Sequence, residues 1–301
     1  MTISSHDALI AALTAGQTKR LDYQKIITPA HTAGRWHELS GLAGSPVANT
    51  WPGASLAFVN CNESAGNGTE VFGIQHGGDV STMTKHVASM AASITAAAGA
   101  PWLMQLIDLV GYYPLTGTDV TGVASRALTG TPTHRYTGGE GVRAFFVVKT
   151  APLTGGPTLS AISYTNSAGT PGRTTIPTVQ FNAAANAYAT AIPHSGIAAN
   201  NHGPFLPMMA GDQGVRSVES FTLSGGTAYT GTGVLVLALA RPIGPPLPIA
   251  ATGQATERDL VNMLSSLPQI KDGACLSYLL YANGATTNNA PVVGFGEAVW
   301  N

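Results

Sequence analysis

From residue 114 onward, short apolar runs alternate with clusters of Gly, Thr, Ser and Pro such as LTGTDVTG, TGTPTHRYTGG and TNSAGTPGRTT. β-Branched and aromatic residues in short runs between such turn signals predict strands near 142–149, 158–165, 173–181, 217–223 and 233–241. Upstream, SLAFVN (55–60) and EVFGIQ (70–75) read as strands around the loop from Cys61 to Gly68. WLMQLIDLVGYYP (102–114) fits a buried strand or a helix resuming after a break, and Tyr112-Tyr113-Pro114 favours the strand. Helical spacing is confined to three places. SHDALIAALTA (5–15) has Ser5 as cap and Asp7 in the first turn. The Ala-rich stretch 82–98, closed by Gly99 and Pro101, has the highest helix propensity in the chain. ERDLVNMLSSL (257–267) reads as an amphipathic helix after the stiff connection GPPLPIAATG (244–253). Two closing runs, 275–282 and 291–300, flank ANGATTNN as a hairpin candidate.

This order predicts a mainly β protein with a few helices (α+β), its core an antiparallel β-sandwich of jelly-roll type. Three stretches are expected: an N-terminal helix and irregular arm (1–53), a β-rich core (54–250), and a C-terminal helix with closing hairpin (251–301).

Composition changes the picture in one respect. Charged residues make up only 10% of the chain, against roughly 25% in an ordinary soluble domain, and the formal charge is −1. Interface cores are depleted in charge, and near-zero net charge favours association. An exterior of Thr, Ser, Asn, Ala and Gly therefore suits a protein that sits among neighbours; a well-hydrated uncharged surface, as in many secreted lectins and hydrolases, is the other reading. The 14 basic residues are scattered and predict no nucleic-acid partner. The apolar run 233–240 is too short to cross a bilayer, so no membrane association is expected. The N-terminus lacks the early positive charge of a signal peptide. The two cysteines, Cys61 and Cys275, are read as buried free thiols, a disulfide between them being the alternative.

No motif for chemistry emerges. The eight histidines fall in no HExxH frame and there is no CxxC, so no metal site is assigned. His31 and the His37-Glu38 pair lie in the irregular arm, His76 and Asp79 near His86, and His194 and His202 in one loop. LAGSP (42–46) and PHSGI (193–197) lack the frame of a nucleophile elbow. Nothing beside Cys61 would lower its thiol pKa. GNGTEVFG (66–73) lacks the Lys and helix of a phosphate loop, and in IQHGGDVS (74–81) Asp79 is expected to cap a helix. Asp108 reads as a satisfied turn or core-edge group. The expectation is no catalytic residue and no cofactor.

One pattern repeats. GGEGVRAFFVV (138–148) and AGDQGVRSVESF (210–221) both carry Gly-Val-Arg after a Gly-rich turn. Gly141 and Gly214 are read as turn residues, and Arg143 and Arg216 either pair with Glu140 or Asp212 or extend into solvent. The run FLPMMAGDQGVRSVESFTLSGGTAYTGTGVLVLALARPI (205–243), with YTNSAGTPGR inside 142–175 and LIDLVGYYP (106–114), resembles virion structural proteins of tailed bacteriophages. The stretch 1–53 and the tail after 253 carry none of this likeness.

The resemblance implies a particle component made in the host cytoplasm and located in the virion: a head cement, decoration or minor capsid protein bridging neighbouring subunits. Its partners would be the major capsid protein and further copies of itself, best as a homotrimer. The main-shell role is disfavoured because no long spine helix is expected. Residues 16–53 are then a candidate arm that orders on a neighbour, with Lys19, Arg20, Tyr23, Lys25, Trp36 and Trp51 as interface candidates; an ordinary loop packed on its own domain is the alternative. A glycan- or receptor-binding module, a tail component and a β-rich hydrolase with a dispersed site are the rival functions.

Overall fold

The computed structural model describes residues 3–28, 30–31, 33–63, 72–80, 82–95, 100–120, 124–150, 158–177, 179–180, 190–192, 203–224 and 234–301. Helix α1 (His6–Thr14) is capped by Ser5, whose side chain accepts from the Ala8 N–H, and Asp7 lies in its first turn, as expected. The first strands are β1 (Thr18–Arg20), β2 (Tyr23–Ile27), β3 (Arg35–Glu38), β4 (Gly44–Ser45) and β5 (Val59–Asn60). Then come β6 (Lys85–Ile94), β7 (Trp102–Leu115), β8 (Ser125–Ala127), β9 (Arg143–Thr150), β10 (Thr158–Asn166), β11 (Arg173–Thr175), β12 (Val179–Gln180) and β13 (Thr190–Ile192). The chain closes with β14 (Val215–Ser224), β15 (Val234–Pro242), β16 (Leu247–Ile249), β17 (Thr256–Asp259), β18 (Gln269–Ile270), β19 (Leu276–Ala282) and β20 (Ala290–Trp300). The protein is mainly β and antiparallel, 48% strand with one α-helix among the described residues, in line with the α+β, sandwich-like class read from the sequence.

At the centre, β15, β9, β13, β3, β19 and β7 pair in turn, and β7 pairs back to β15, closing a six-stranded barrel. Alternate residues point inward: Ile107, Leu109 and Tyr112 from β7, Phe145 and Val147 from β9, Val236, Ala238 and Ala240 from β15, and Leu279 from β19. Two further sheets cover the wall. The sheet β17-β6-β20-β2-β4 packs Met90, Ile94, Val292 and Val299 with Trp102, Met104, Leu106, Tyr278 and Leu280. The sheet β11-β10-β14-β8 packs Ile162, Tyr164, Val218 and Phe221 with Ala144, Phe146, Leu235 and Leu237. Strand β7 serves all three cores. A register shift against β15 at Leu239/Ala240 switches its phase, so Val110, Tyr113 and Leu115 face the second covering sheet. Burial on both faces explains why 102–114 reads as one apolar run rather than as an alternation. Gly111 sits at the switch, where a Cβ would lie 2.4 Å from the Phe58 ring and from the Val59 carbonyl oxygen.

Several expectations are overturned. The Ala-rich stretch predicted as a helix over 82–98 is strand β6, its Gly99 end lying outside the described residues. β6 sends Ala88, Met90, Ala92 and Ile94 into the core and Ser89, Ala91 and Ser93 to the other face. Ladders on both sides, to β20 and to β17 and β18, outweigh the few tenths of a kcal/mol per residue of alanine helix propensity. No helix follows Asp79, whose carboxylate instead accepts from the Gly273 N–H. The predicted helix 257–267 is strand β17 followed by a 3-10 segment, Val261–Ser266. The closing strands exist but are no hairpin: β19 joins the barrel beside β3 and β7, while β20 joins the covering sheet beside β6, β2 and β1. The arm 16–53 is not irregular, since β1, β2, β3 and β4 all pair within this chain. Sheets therefore cross the three predicted stretches. The strand 55–60 shrinks to β5, and of 70–75 the described part contributes one bridge, Ile74 to Leu276. The loop 66–71, the text 193–197, His194 and His202 lie outside the described residues.

Candidate functional site

The two Gly-Val-Arg copies lie against each other. The Gly141 N–H donates to the Gln213 carbonyl (2.9 Å), the Val215 N–H to the Val142 carbonyl (3.0 Å), and Glu140 bridges Gly214. The repeat is a backbone crossing that docks the start of β14 on the start of β9. Gly141 has φ 74°, which suits glycine. Of the two readings for Arg143 and Arg216, pairing with Glu140 or Asp212 is the one that fails. Asp212 accepts from Tyr164 Oη (2.6 Å), Asn166 Nδ2 (2.7 Å) and Arg173 Nε (3.0 Å), and the Tyr164 hydroxyl above all lowers its pKa to about 2. Arg216 is exposed, Arg143 is half-buried, and among the described residues neither forms an ion pair with Glu140 or Asp212. A pocket of about 370 Å³ opens beside Glu140, Asn166 and Asp212.

Among the described residues five charged ones are buried: Lys25, Glu38, Glu63, Lys85 and Asp108. Asp108, fully enclosed on β7, takes Arg135 on both oxygens (2.7 and 2.8 Å), the Tyr136 hydroxyl (2.7 Å) and the Cys275 N–H (2.8 Å). Arg135 also donates to the Cys61 and Leu109 carbonyls. The Asp108 hydrogen bonds and charge hold the guanidinium pKa above its ordinary value against burial. Asp108 is thus a satisfied core ion pair in a strand, not a turn group.

Nearby, Glu63, His76 and Lys85 form a chain. His76 Nε2 lies 3.2 Å from Glu63 Oε2 and 3.0 Å from the Ala274 carbonyl oxygen, and Lys85 Nζ is 2.8 Å from Nδ1. Burial, with the Lys85 cation next, lowers the His76 pKa; burial lowers that of Lys85. A pocket of about 250 Å³ lies alongside, lined by Lys85, Arg135, Lys271 and Asp272 among others. A His beside a carboxylate near a pocket is what a dispersed hydrolase site would show. Yet both His76 ring nitrogens are engaged and the residue is fully buried, so no ring nitrogen faces a substrate.

Lys25 Nζ is caged by the carbonyls of Pro46 (2.6 Å), Leu42 (3.1 Å), Ser40 (3.4 Å) and Val47 (3.5 Å), and burial lowers its pKa to about 8. Glu38, its pKa raised by burial, accepts from Ser40, Gly41 and Ser277. His31 and His37 stack at 3.6 Å in the core. Among the described residues no three His, Cys, Asp or Glu side chains converge as metal ligands.

The interface candidates separate accordingly. Tyr23, Lys25 and Trp51 are buried within their own chain and cannot reach a neighbour, which corrects the expectation for these three. Trp36 is half-buried against Tyr281, at 5.4 Å between centroids. Lys19 is exposed, with its stem near Gly77. Arg20 is exposed, and its guanidinium lies 4.6 Å over the Phe295 ring.

Arg20 leads to a surface that lies outside the interface candidates named from the sequence. On the outer face of the β6–β20 sheet, Val293 pairs with Ser93 and Gln24, and Phe295 with Ala91. Val293 and Phe295 are 40% and 38% exposed, large apolar side chains on a floor of Ser89, Ala91 and Ser93. Charges stand at the margin: Arg20 and Glu297 on one side, Glu257 and Asp259 on the other. The alternation in PVVGFGEAVW (291–300) carried this signal, Val293 and Phe295 sharing the parity opposite to the buried Val292.

Comparison of the chain with protein families, with curated proteins and with solved structures found no match.

Proposed function

We propose that this chain is a structural component of a phage particle, a head cement, decoration or minor capsid protein that bridges shell subunits by burying a flat, weakly charged sheet face. The observation that carries the reading is the outer face of β6 and β20, with Val293 and Phe295 at its centre and Arg20, Glu257, Asp259 and Glu297 at its margin. An apolar centre with a polar rim is the usual build of a protein–protein contact. The charge distribution supports it: the chain has 14 basic and 15 acidic residues, and among the described residues five of these are sealed inside, leaving the exterior still poorer in charge than the sequence suggests. Subunits joined by such bridges separate only after each bridge breaks, which stabilises a shell by mass action. Self-association, best as a trimer, belongs to the same proposal.

The test is co-sedimentation of the purified chain with emptied shells of the virus that encodes it, beside sedimentation of the chain alone. Stoichiometric binding and a defined oligomer are expected. A monomer that leaves shells bare overturns the reading.

A glycan-binding module has one observation in its favour, the half-buried Trp36–Tyr281 pair, which could stack on a sugar face. Silence on a glycan array disposes of it.

A further inference from the structure

We propose that Cys61 and Cys275 are a cross-linking site: a small-molecule disulfide such as oxidised glutathione converts them into an intramolecular disulfide that ties the end of β5 to the start of β19. The argument begins at the edge of β7. β5 pairs Val59 with Tyr112 and Asn60 with Gly111, and the next N–H, from Cys61, donates to the Val110 carbonyl (3.0 Å). β19 pairs Leu276 with Asp108, and the residue before it, Cys275, accepts from the Leu109 N–H (2.8 Å). Both segments run antiparallel to β7 along the same edge, one beginning where the other ends. Cys61 and Cys275 therefore face successive residues of β7, and their thiols meet in a side-chain hydrogen bond inside the barrel core.

The surroundings hold this junction. Arg135 donates to the Cys61 carbonyl from two nitrogens (3.0 Å each), and its partner Asp108 accepts the Cys275 N–H (2.8 Å), so one ion pair clamps the main chain of both cysteines. At Gly73 a Cβ would come 2.9 Å from Cys275 Sγ; glycine leaves room for the sulfur. A disulfide needs main chains this close, and a link between chain positions so far apart is of the kind that most restricts the unfolded chain.

The chemistry closes without further reagents. Both thiols are buried, and the Cys275 thiol is pushed well above its ordinary pKa, first by its Cys61 partner and then by burial. Reaction therefore waits on local opening. Opening falls at Cys61, one residue beyond the two-residue strand β5, while Cys275 is held beside the seven-residue β19. Cys61 loses its proton to buffer, and its thiolate attacks one sulfur of oxidised glutathione, breaking the S–S bond and releasing glutathione thiolate, which takes up a proton. On reclosing, Cys275 loses its proton and attacks the Cys61 sulfur of the mixed disulfide, releasing the second glutathione thiolate. Two protein thiols are oxidised, and one small disulfide is reduced to two thiols.

The experiment uses the full chain, reduced and then incubated with excess oxidised glutathione at mildly alkaline pH until unchanging. After acid quenching it is alkylated in denaturant, digested and mapped by mass spectrometry. The expected result is loss of both alkylatable thiols, a linked peptide pair containing Cys61 and Cys275, and a chain mass lower by two hydrogens. The oxidised form should also melt at higher temperature than the reduced form. Cys275→Ser should collect one glutathione on Cys61, whereas Cys61→Ser should collect none on Cys275 while near-UV circular dichroism shows it folded. Two alkylatable thiols remaining in the wild type, glutathione adducts in place of the link, or a link only between chains would each overturn the proposal; the wild-type peptide map decides even where a variant fails to fold.

Discussion

Gly139 and Gly214 meet backbone to backbone: a Cβ on Gly214 would lie 2.2 Å from the Gly139 carbonyl oxygen, and one on Gly139 would lie 2.4 Å from the Val215 carbonyl oxygen. The repeated Gly-Val-Arg text is thus a contact between its own copies, with glycines where the two chains cross. Backbone cannot rotate aside as a side chain can, so an added methyl must push the β9 and β14 openings apart. Gly214→Ala is expected to cost about 1–3 kcal/mol in urea unfolding, as overpacking does. Gly139→Ala should cost at least as much, since its φ of 85° is strained for alanine. Gly203→Ala, whose Cβ meets nothing within 4 Å, is the control and should leave the midpoint unchanged.

The Asp108–Arg135 pair gives a second expectation. Asp108→Asn keeps the shape but leaves a largely buried guanidinium without its anion, and should cost about 3–5 kcal/mol. Arg135→Met strands the carboxylate in turn. Because each single change exposes the same vacancy, the double variant should cost about 1–3 kcal/mol less than the sum of the singles. Strict additivity in a double-mutant cycle would mean that the two groups act independently.

Much of the β-rich middle was legible. β9, β10, β14 and β15 fall where apolar runs stand between turn clusters, and α1 begins at the Ser5 cap. What failed failed for tertiary reasons. In β6, alanines fit because its neighbour β20 runs very close: a Cβ on Gly294 would lie 2.3 Å from the Ala91 carbonyl oxygen. Local propensity cannot see that neighbour, which lies some two hundred residues further along the chain. Lys25 and Trp51 stand among the interface candidates because basic and aromatic residues gathered in a Gly- and Pro-broken stretch match the usual contact anchors as well as they match a loop packed on its own domain. Only the folded chain supplies the four carbonyls around Nζ and the Tyr112 ring packed edge-on at 5.0 Å against Trp51. The outer-face residues Val293 and Phe295 were visible as an alternation, but which parity would be covered depends on what β20 packs against.

Stability should climb with pH up to about 6.5 and again above about 8. Burial lowers the pKa of His31, His76, His86 and His134, and His37 adds to the effect at His31. Below the ordinary histidine value of 6.5 the unfolded chain then binds more protons than the folded one, so stability falls as pH falls through that value. Lys25, lowered to about 8, acts in the same sense higher up: between 8 and its ordinary 10.5 only the unfolded chain keeps the proton, so stability rises with pH there too. Glu38, with a pKa raised by burial, acts in the opposite sense above its ordinary 4.5. His31→Phe keeps a ring against His37 and removes one titrating group. It should flatten the slope between pH 5 and 6.5 by up to about 1.4 kcal/mol per pH unit. An unchanged slope in urea titrations across that window would assign the effect to other groups.

The proposed contact face makes the last prediction. Val293 and Phe295 touch solvent on a sheet whose opposite face builds the core, so changing them need not disturb the fold. Arg20 lies over the Phe295 ring and positions a cation at the edge of the same patch. If this face is what other chains cover, a carboxylate at its centre must be desolvated on contact. Phe295→Asp should then weaken self-association or shell binding at least tenfold, the loss expected of a central aromatic anchor. Its melting temperature should move little. Ile176→Asp is the matched control: Ile176 is 73% exposed and follows β11, a strand of the other covering sheet, so association should be untouched. Sedimentation velocity across a concentration series reads both variants. Equal weakening by the two would point to general surface stickiness, and no weakening by either would place the contact elsewhere on the molecule.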